Sequence, residues 1–362
     1  MIRISDSCLV GKDESTLDKI ALEHLNNVNG KKGTTVKTPR ENSIYKKILD
    51  YKSTVQSQGY LRDRCGGDHD KQQRIIEFCE YFLSNNGVKI DEVILAKPNQ
   101  FESIIEDINA IVRDEDWKTQ VGGENKYTEF YNKVILDLFS YKKYRSTKAC
   151  TDVYYELIGR KSYCFYCNVS PIAIPRKNKN GKMVNQMDLQ LDHFYLRAKY
   201  PYLSLCFYNL IPCCSTCNTG YHGGTELRID THINPYSNCF NSEYIFELDS
   251  DELANLSVGC MEPFTGFELV LRPEATRQHD MTCDDFSLNT RYEDYLENVN
   301  NLAYMYKKNV AQKNDNLENF CEVVYGPNFA SVPNEPSDIP KAPLGKLLRD
   351  VIHQIGDDSE IK

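Results

Sequence analysis

Cys164 and Cys167 form one C-x2-C pair, and Cys214 and Cys217 form a second, with 46 residues between the pairs. Four thiolates at this spacing suit a tetrahedral structural zinc site, because a tight turn brings both sulfurs of a pair to one ion at ~2.3 Å. Such a site has no open position, so the zinc holds structure rather than reacting. Cys213 stands beside Cys214 and makes the second pair ambiguous; the two-residue spacing assigns Cys214 with Cys217. The competing chemistry is a thioredoxin-like redox pair. That would require one pair opening a helix in a βαβ unit, which two pairs around a predicted hairpin fit poorly.

Between the pairs lies the run Leu191-Asp192-His193-Phe194, and Asn209 and Asn218 follow. This set suits phosphodiester hydrolysis. A neutral His193 can take a proton from water near pH 7. Asp192 and the Asn218 side-chain oxygen are hard ligands of the kind Mg²⁺ takes, and one such cation would stabilise the departing oxygen. Asp192 and His193 are adjacent, so on a regular strand their side chains diverge. Both serve one site only where the strand bends or ends, and we expect that distortion.

The bulk composition narrows the class. The chain carries a net charge of −9, which argues against nonspecific coating of nucleic acid. From Arg160 to Arg228, nine Lys and Arg face three acids, a balance of +6 that leaves −15 elsewhere. The cysteine-bearing segment is therefore the basic island of an acidic protein, where a phosphate-bearing partner would dock. Arg197 and Lys199, just beyond His193, are the candidate phosphate contacts, and Arg176–Lys182 is a weaker one. No apolar run approaches membrane length, and the start of the chain lacks a secretory pattern, so a cytoplasmic protein without membrane association is expected. In a reducing compartment the other cysteines (Cys8, Cys65, Cys79, Cys150, Cys206, Cys213, Cys239, Cys260, Cys283 and Cys321) read as small buried hydrophobes. No internal repeat and no phosphate-cradling G-x-x-x-x-G-K-[ST] loop is present.

The elements that must position these residues follow from periodicity. Residues 1–145 read as a mostly helical region. Apolar sets at helical spacing start at Leu17, Ile75, Phe101 and Tyr127, and the second set stops at Asn85–Gly87. Asn27–Asn42 and Arg64–Asp70 read as loops, the latter a solvated loop rather than a metal site. A helix over Thr151–Ile158 ends at Gly159. Val169–Pro175 and Met183–Phe194 read as strands flanking Arg176–Lys182, with Asn180-Gly181 as the turn. The order strand, loop, strand ("NLIP", Asn209–Pro212), helix near Cys214–Asn218 is a compact ββα unit within residues 146–238. Residues 239–326 read as two strands, "EYIFELD" and "FELVLRP", and a long amphipathic helix over 289–313. Residues 327–362 read as a Pro-rich linker and a short amphipathic helix, which docks either on its own domain or on a partner chain.

The pattern C-x2-C, "LDHF", "YNLIPCCSTCN" resembles the HNH endonuclease superfamily, the ββα-metal nucleases, in its four-cysteine zinc subtype. It is most similar to bacterial anti-phage defence nucleases such as the Septu type, which also carry a tyrosine-rich lead-in like "FSYKKYRST". The specific similarity spans Tyr163 to about Gly224. It implies an α+β fold: a helical N-terminal region, a zinc-stapled ββα-metal core and a small β plus long-helix C-terminal region. It further implies that His193 is the general base, that Asp192 and Asn218 hold a catalytic Mg²⁺ or Mn²⁺, and that Asn209 braces the loop and orients His193, an H-N-N variant. The resemblance points to endonuclease activity on nucleic acid, DNA more readily than RNA, and to a partner such as an ATPase or another defence subunit. The chain departs from the pattern at Leu196 and Arg197, where relatives have Pro and Lys. It departs again at Thr219–Gly224, where Tyr221 or His222 stands near the usual Lys. The alternative is a zinc-stabilised nucleic-acid-binding or structural subunit of a defence complex without cleavage activity.

Overall fold

The computed structural model describes residues 4, 14–32, 38–237, 240–257, 262–273, 275, 279–311 and 332–356. Helices dominate, and each sheet among the described residues has two strands, an α+β fold. The chain divides into two compact units, each built from separated stretches. One joins Glu14–Leu157 to Asp192–Ile211. The other takes Ile4 with the described residues of Ile158–Leu191 and Pro212–Lys362.

In the first unit, α1 (Glu14–Asn29) buries Leu17, Ile20 and Ala21. It therefore runs into the stretch read as a loop, which holds only a short pairing of β1 (Lys31–Lys32) with β2 (Thr38–Pro39). Helix α2 (Ile44–Val55) buries Ile44, Ile48, Tyr51 and Val55, one stripe at helical spacing. A short α3 (Gln58–Arg64) follows, then α4 (His69–Ile94). Asp68, from the segment weighed as a metal site, caps α4 by accepting from the Lys71 N–H at 2.9 Å. The expected stop at Asn85–Gly87 is present as a break with φ of 48°, 55° and 84°, after which the helix resumes. Gly87 is required there, since a Cβ would collide with the Tyr45 ring. Helix α5 (Phe101–Ile111) buries Phe101, Ile104, Ile105 and Ile108.

Periodicity misplaces Tyr127. A four-residue helix α6 (Asp114–Trp117) leads into a hairpin of β3 (Lys118–Val121) with β4 (Glu124–Tyr127), so Tyr127 lies on a strand. Gly122 and Gly123 turn the hairpin at φ of 62° and 83°, a positive pair that glycine adopts without steric cost. Helix α7 (Glu129–Lys133) widens into a π-type turn over Val134–Leu138. Helices α8 (Tyr141–Arg145) and α9 (Lys148–Ile158) follow, and α9 ends at Gly159, φ 70°, as expected.

In the second unit, β5 (Lys161–Tyr163) pairs with β6 (Pro171–Ala173), and Cys164–Cys167 sits in the turn between them. Val169–Pro175 thus pairs on two sides: backward with β5, and onward as expected, where Ala173 and Asp188 exchange N–H···O bonds at 3.1 and 2.8 Å and the Gln186 N–H donates to Pro175 O at 2.9 Å. Arg176–Lys182 is itself largely strand: β7 (Arg176–Lys179) pairs with β8 (Lys182–Asn185) around Asn180 and Gly181, whose positive φ values close a two-residue turn. The single strand expected over Met183–Phe194 is divided between β8 and β9 (Gln190–His193). Strand β9 pairs with β10 (Leu210–Cys213), and the boundary between the units falls within both strands.

Farther on, β11 (Tyr244–Leu248) pairs with β12 (Phe267–Leu271), as expected, with α10 (Ser250–Ser257) between them. The long helix expected over 289–313 is interrupted. After a short α11 (Thr282–Asp285), it is divided into α12 (Leu288–Glu293) and α13 (Leu296–Ala311). Part of the Pro-rich stretch, residues 327–331, lies outside the described residues. The rest forms a 3₁₀ turn over Pro336–Lys341. Asn168 anchors this tail, donating from Nδ2 to Ile339 O at 3.0 Å and Ala342 O at 3.2 Å and accepting at Oδ1 from the Lys346 N–H at 3.0 Å.

The final helix, α14 (Gly345–Ile355), buries Leu347, Leu348, Val351 and Ile352 against α13 and β11 of its own unit. Its apolar face is therefore used within the chain rather than held open for a partner. Asp350 accepts from the Phe246 N–H at 2.9 Å and Gln354 from the Leu248 N–H at 3.0 Å, so side chains of α14 satisfy donors of β11. Asp350 also pairs with Lys346, and both are almost fully buried, at 4% and 2% exposure. Removing one partner of such a pair strands a buried charge. Asp350→Ala is expected to cost about 3–5 kcal/mol in urea denaturation. A loss below 1 kcal/mol would show that the pair is not buried in solution.

Candidate metal centre and candidate active site

The two cysteine pairs converge. The sulfurs of Cys164, Cys167, Cys214 and Cys217 all lie within 4.8 Å of one another, and all four residues are buried. A tetrahedron with metal–sulfur bonds of ~2.3 Å has edges of roughly 3.8 Å, so the group fits a zinc-like ion. Cys213 is the strand residue of β10 and stands outside the cluster, which resolves the ambiguity of the double cysteine. His222, near the end of the helical segment Thr216–His222, is buried and is also not a member. Among the described residues this is the one group of three or more His, Cys, Asp or Glu side chains placed to hold a metal.

The backbone is arranged for sulfur ligands. The Cys214 N–H donates to Cys164 Sγ at 3.3 Å, and the Cys217 N–H to Cys214 Sγ at 3.4 Å. Arg291 of α12 donates from Nη1 to Cys217 Sγ at 3.4 Å and to Phe286 O at 3.2 Å. The neighbouring Tyr292 hydroxyl donates to Cys167 O at 2.6 Å. Burial alone would lower the Arg291 pKa, but the thiolates of Cys217 and Cys167 outweigh it and hold the guanidinium raised. Four thiolates on Zn²⁺ carry a net charge of −2, so one adjacent guanidinium offsets half of it. Sequence reasoning gave Arg291 and Tyr292 no role at the metal; their signal was the segment "FSLNTRY" (Phe286–Tyr292), a predicted helix start to which the looser part of the resemblance extends.

The hydrolytic candidates are divided between the units. Asp192, His193 and Asn209 belong with Glu14–Leu157, whereas Asn218 lies on the segment after the second cysteine pair, in the other unit. Asp192 and His193 do not alternate between inside and outside; both are buried, at 4% and 9% exposure. His193 Nε2 lies 3.0 Å from Ser204 O. A carbonyl only accepts, so in the neutral ring this contact puts the proton on Nε2 and the lone pair on Nδ1. The imidazole edge meets the Tyr141 ring at 4.5 Å, and the Arg197 guanidinium lies 5.5 Å from the same ring. Lys199 is exposed and lies 5.3 Å from the Tyr200 ring. Tyr141, from the tyrosine-rich stretch "FSYKKYRST", thus contacts both His193 and Arg197.

Asn209 is fully buried and braces the intervening loop. Its Oδ1 accepts from the Tyr195 N–H at 2.7 Å, while Nδ2 donates to Tyr195 O at 3.1 Å and Leu203 O at 3.2 Å. The helices add further ties. The Ser204 hydroxyl donates to Phe139 O at 2.7 Å, the Tyr195 hydroxyl to Glu102 at 2.6 Å and the Tyr208 hydroxyl to Asp18 at 2.7 Å. His24 of α1 donates from Nε2 to Leu205 O at 2.8 Å, the carbonyl next to the one that His193 uses. The six described cysteines outside the cluster are all buried, as expected; Cys8, Cys239, Cys260 and Cys321 lie outside the described residues.

Burial pushes the His24 pKa down from 6.5 to about 4. The unfolded chain therefore binds the extra proton first. Stability from neutral His24 is complete above pH 6.5 and falls as pH drops toward 4. Over that window the native chain is expected to lose about 3 kcal/mol more than His24→Gln, which keeps a donor for Leu205, in urea denaturation at stepped pH. For the cysteine cluster, metal analysis is expected to return one zinc per chain, and Cys217→Ser should lose it. Arg291→Met is expected to keep the zinc but surrender it faster to a chelator.

No family model, curated protein or solved structure matches this chain, so the chemistry of the site rests on the residues themselves.

Proposed function

We propose that the chain is a metal-dependent endonuclease of the HNH type, hydrolysing phosphodiester bonds in nucleic acid, DNA more readily than RNA, in bacterial anti-phage defence. The observation that carries this reading is the setting of His193. The ring is pinned through Nε2 to Ser204 O, so the basic lone pair sits on Nδ1. The loop that follows is braced by a buried Asn209 and carries Arg197 and Lys199. In this reading His193 takes the proton from the attacking water. Arg197 and Lys199 contact phosphates on either side of the cut. Asn209 keeps the loop at a fixed span, and the four cysteines hold zinc as a structural element. That Asp192 and Asn218 hold a Mg²⁺ or Mn²⁺ ion, which when bound supplies charge stabilisation for the departing oxygen, rests on the resemblance alone. An ATPase or another defence subunit as partner rests on the resemblance alone.

A second reading has one observation in its favour. Asp192 is 4% exposed, and the only cluster of three or more metal-ligating residues of the His, Cys, Asp and Glu type among the described residues is the cysteine one. A zinc-stabilised nucleic-acid-binding or structural subunit would need no more than that.

Incubating plasmid and RNA with the chain in Mg²⁺ or Mn²⁺ separates the two. Cleavage that drops at least ~100-fold in His193→Ala, with zinc content unchanged, supports the nuclease. Binding without cleavage, equal in both proteins, rejects it in favour of the second reading.

A further inference from the structure

Beside the loop that follows His193 is a cleft of about 550 Å³, lined by residues of α6, β3, β4, α7 and the loop over Leu196–Lys199. One wall is aromatic. Tyr127 lies flat on Tyr131 at 3.9 Å with an interplanar angle of 12°, and Trp117 meets Tyr131 edge-on at 6.3 Å. The opposite wall is the loop itself, held to the aromatic side by the Tyr131 hydroxyl, which donates to Ala198 O at 3.0 Å. Lys118 Nζ lies over the Tyr127 ring at 5.6 Å, so a base stacking there moves the ammonium aside toward a flanking phosphate; Lys199 is on the loop side, and Asp114 and Glu115 also line the opening. Tyr131 and Trp117 are packed into the unit, but Tyr127 remains 46% exposed at the end of β4, an aromatic ring presented to a polar opening.

An apolar core has no use for a half-exposed tyrosine stack flanked by two lysines. A nucleobase does. It offers a flat π surface to the rings, and its phosphates need cations at the rim. A base paired in a duplex cannot enter a recess of this kind, because its faces are covered by neighbouring bases and its edge by the opposite strand. We propose that this cleft binds one unpaired nucleobase against Tyr127, with Lys118 and Lys199 at the adjoining phosphates. The nucleic acid taken by the site is then single-stranded or locally opened. Resting on the nuclease reading for its choice of ligand, this names the substrate class. The loop forming one wall of the cleft starts at His193, so a base held there leaves its flanking backbone on the same loop as Arg197.

The chain contains a single tryptophan, and Trp117 lines the cleft, so its fluorescence reports occupancy directly. The titration uses the full chain carrying His193→Ala, without Mg²⁺, so that no cleavage intervenes. A short oligodeoxyadenylate single strand is expected to quench Trp117. The same strand annealed to its complement should bind at least ~5-fold more weakly, and ribose 5-phosphate should leave the emission unchanged. Tyr127→Ala should weaken the single strand at least ~5-fold, in line with loss of one base–aromatic stack. Tyr127→Leu, which keeps an apolar cover over Tyr131, should do the same, with zinc content and circular dichroism confirming the fold of both. Equal quenching by single strand and duplex, or no effect of either Tyr127 variant, overturns the proposal. Tyr127-dependent binding by a chain that never cleaves would overturn the nuclease reading and leave the cleft standing. Plasmid cleavage without Tyr127-dependent quenching would do the reverse.

Discussion

Four sulfurs buried within 4.8 Å of one another constrain everything in their unit. Thiolates repel each other, and burial makes each charge harder to sustain, so a cation at their centre would offset both costs. The cluster ties the turn of β5–β6 to the segment after β10. Arg291 and Tyr292 then bring α12 onto the same group from 74 and 125 residues away in the chain. Asn168, one residue beyond Cys167, fastens the tail that leads into α14. The described sheets of this region have two strands each and its helices are interrupted, a setting in which a structural metal adds to stability.

The other unit relies on carboxamide and hydroxyl bonds to loop backbone. Residues 194–209 contain little regular structure, so their buried carbonyls and N–H groups need partners from elsewhere. Asn209 supplies both ends of one span, and Ser204, Tyr195, Tyr208 and His24 connect the loop to helices distant in sequence. A loop held this way places the Ser204 carbonyl 3.0 Å from His193 Nε2, and the group across from one ring nitrogen sets the tautomer of an imidazole.

Several elements were legible before any coordinates. Helices α1, α4 and α5 show apolar stripes at helical spacing. Gly159 and the Asn85–Gly87 break are backbone positions that L side chains with Cβ atoms disfavour. The Gly122-Gly123 turn was equally visible, but the run of aromatics after it read as helical, and the hairpin was lost. A basic stretch such as Arg176–Lys179 carries no apolar alternation, so nothing local marks it as a strand; its ladder is made by backbone groups alone.

Residue type and spacing by themselves determined that Cys164, Cys167, Cys214 and Cys217 would share one site, because the ligand chemistry and turn geometry of each C-x2-C pair are short-range properties, whereas the bracing by Asn209 was implied only by the resemblance. Tertiary structure alone decided that Arg291 balances the thiolates, that Tyr141 stands between His193 and Arg197, and that α14 buries its apolar face at home. Each of those depends on which distant surfaces meet. That is settled by packing and by the pairing of buried polar groups over the whole chain, and no local window of sequence encodes it.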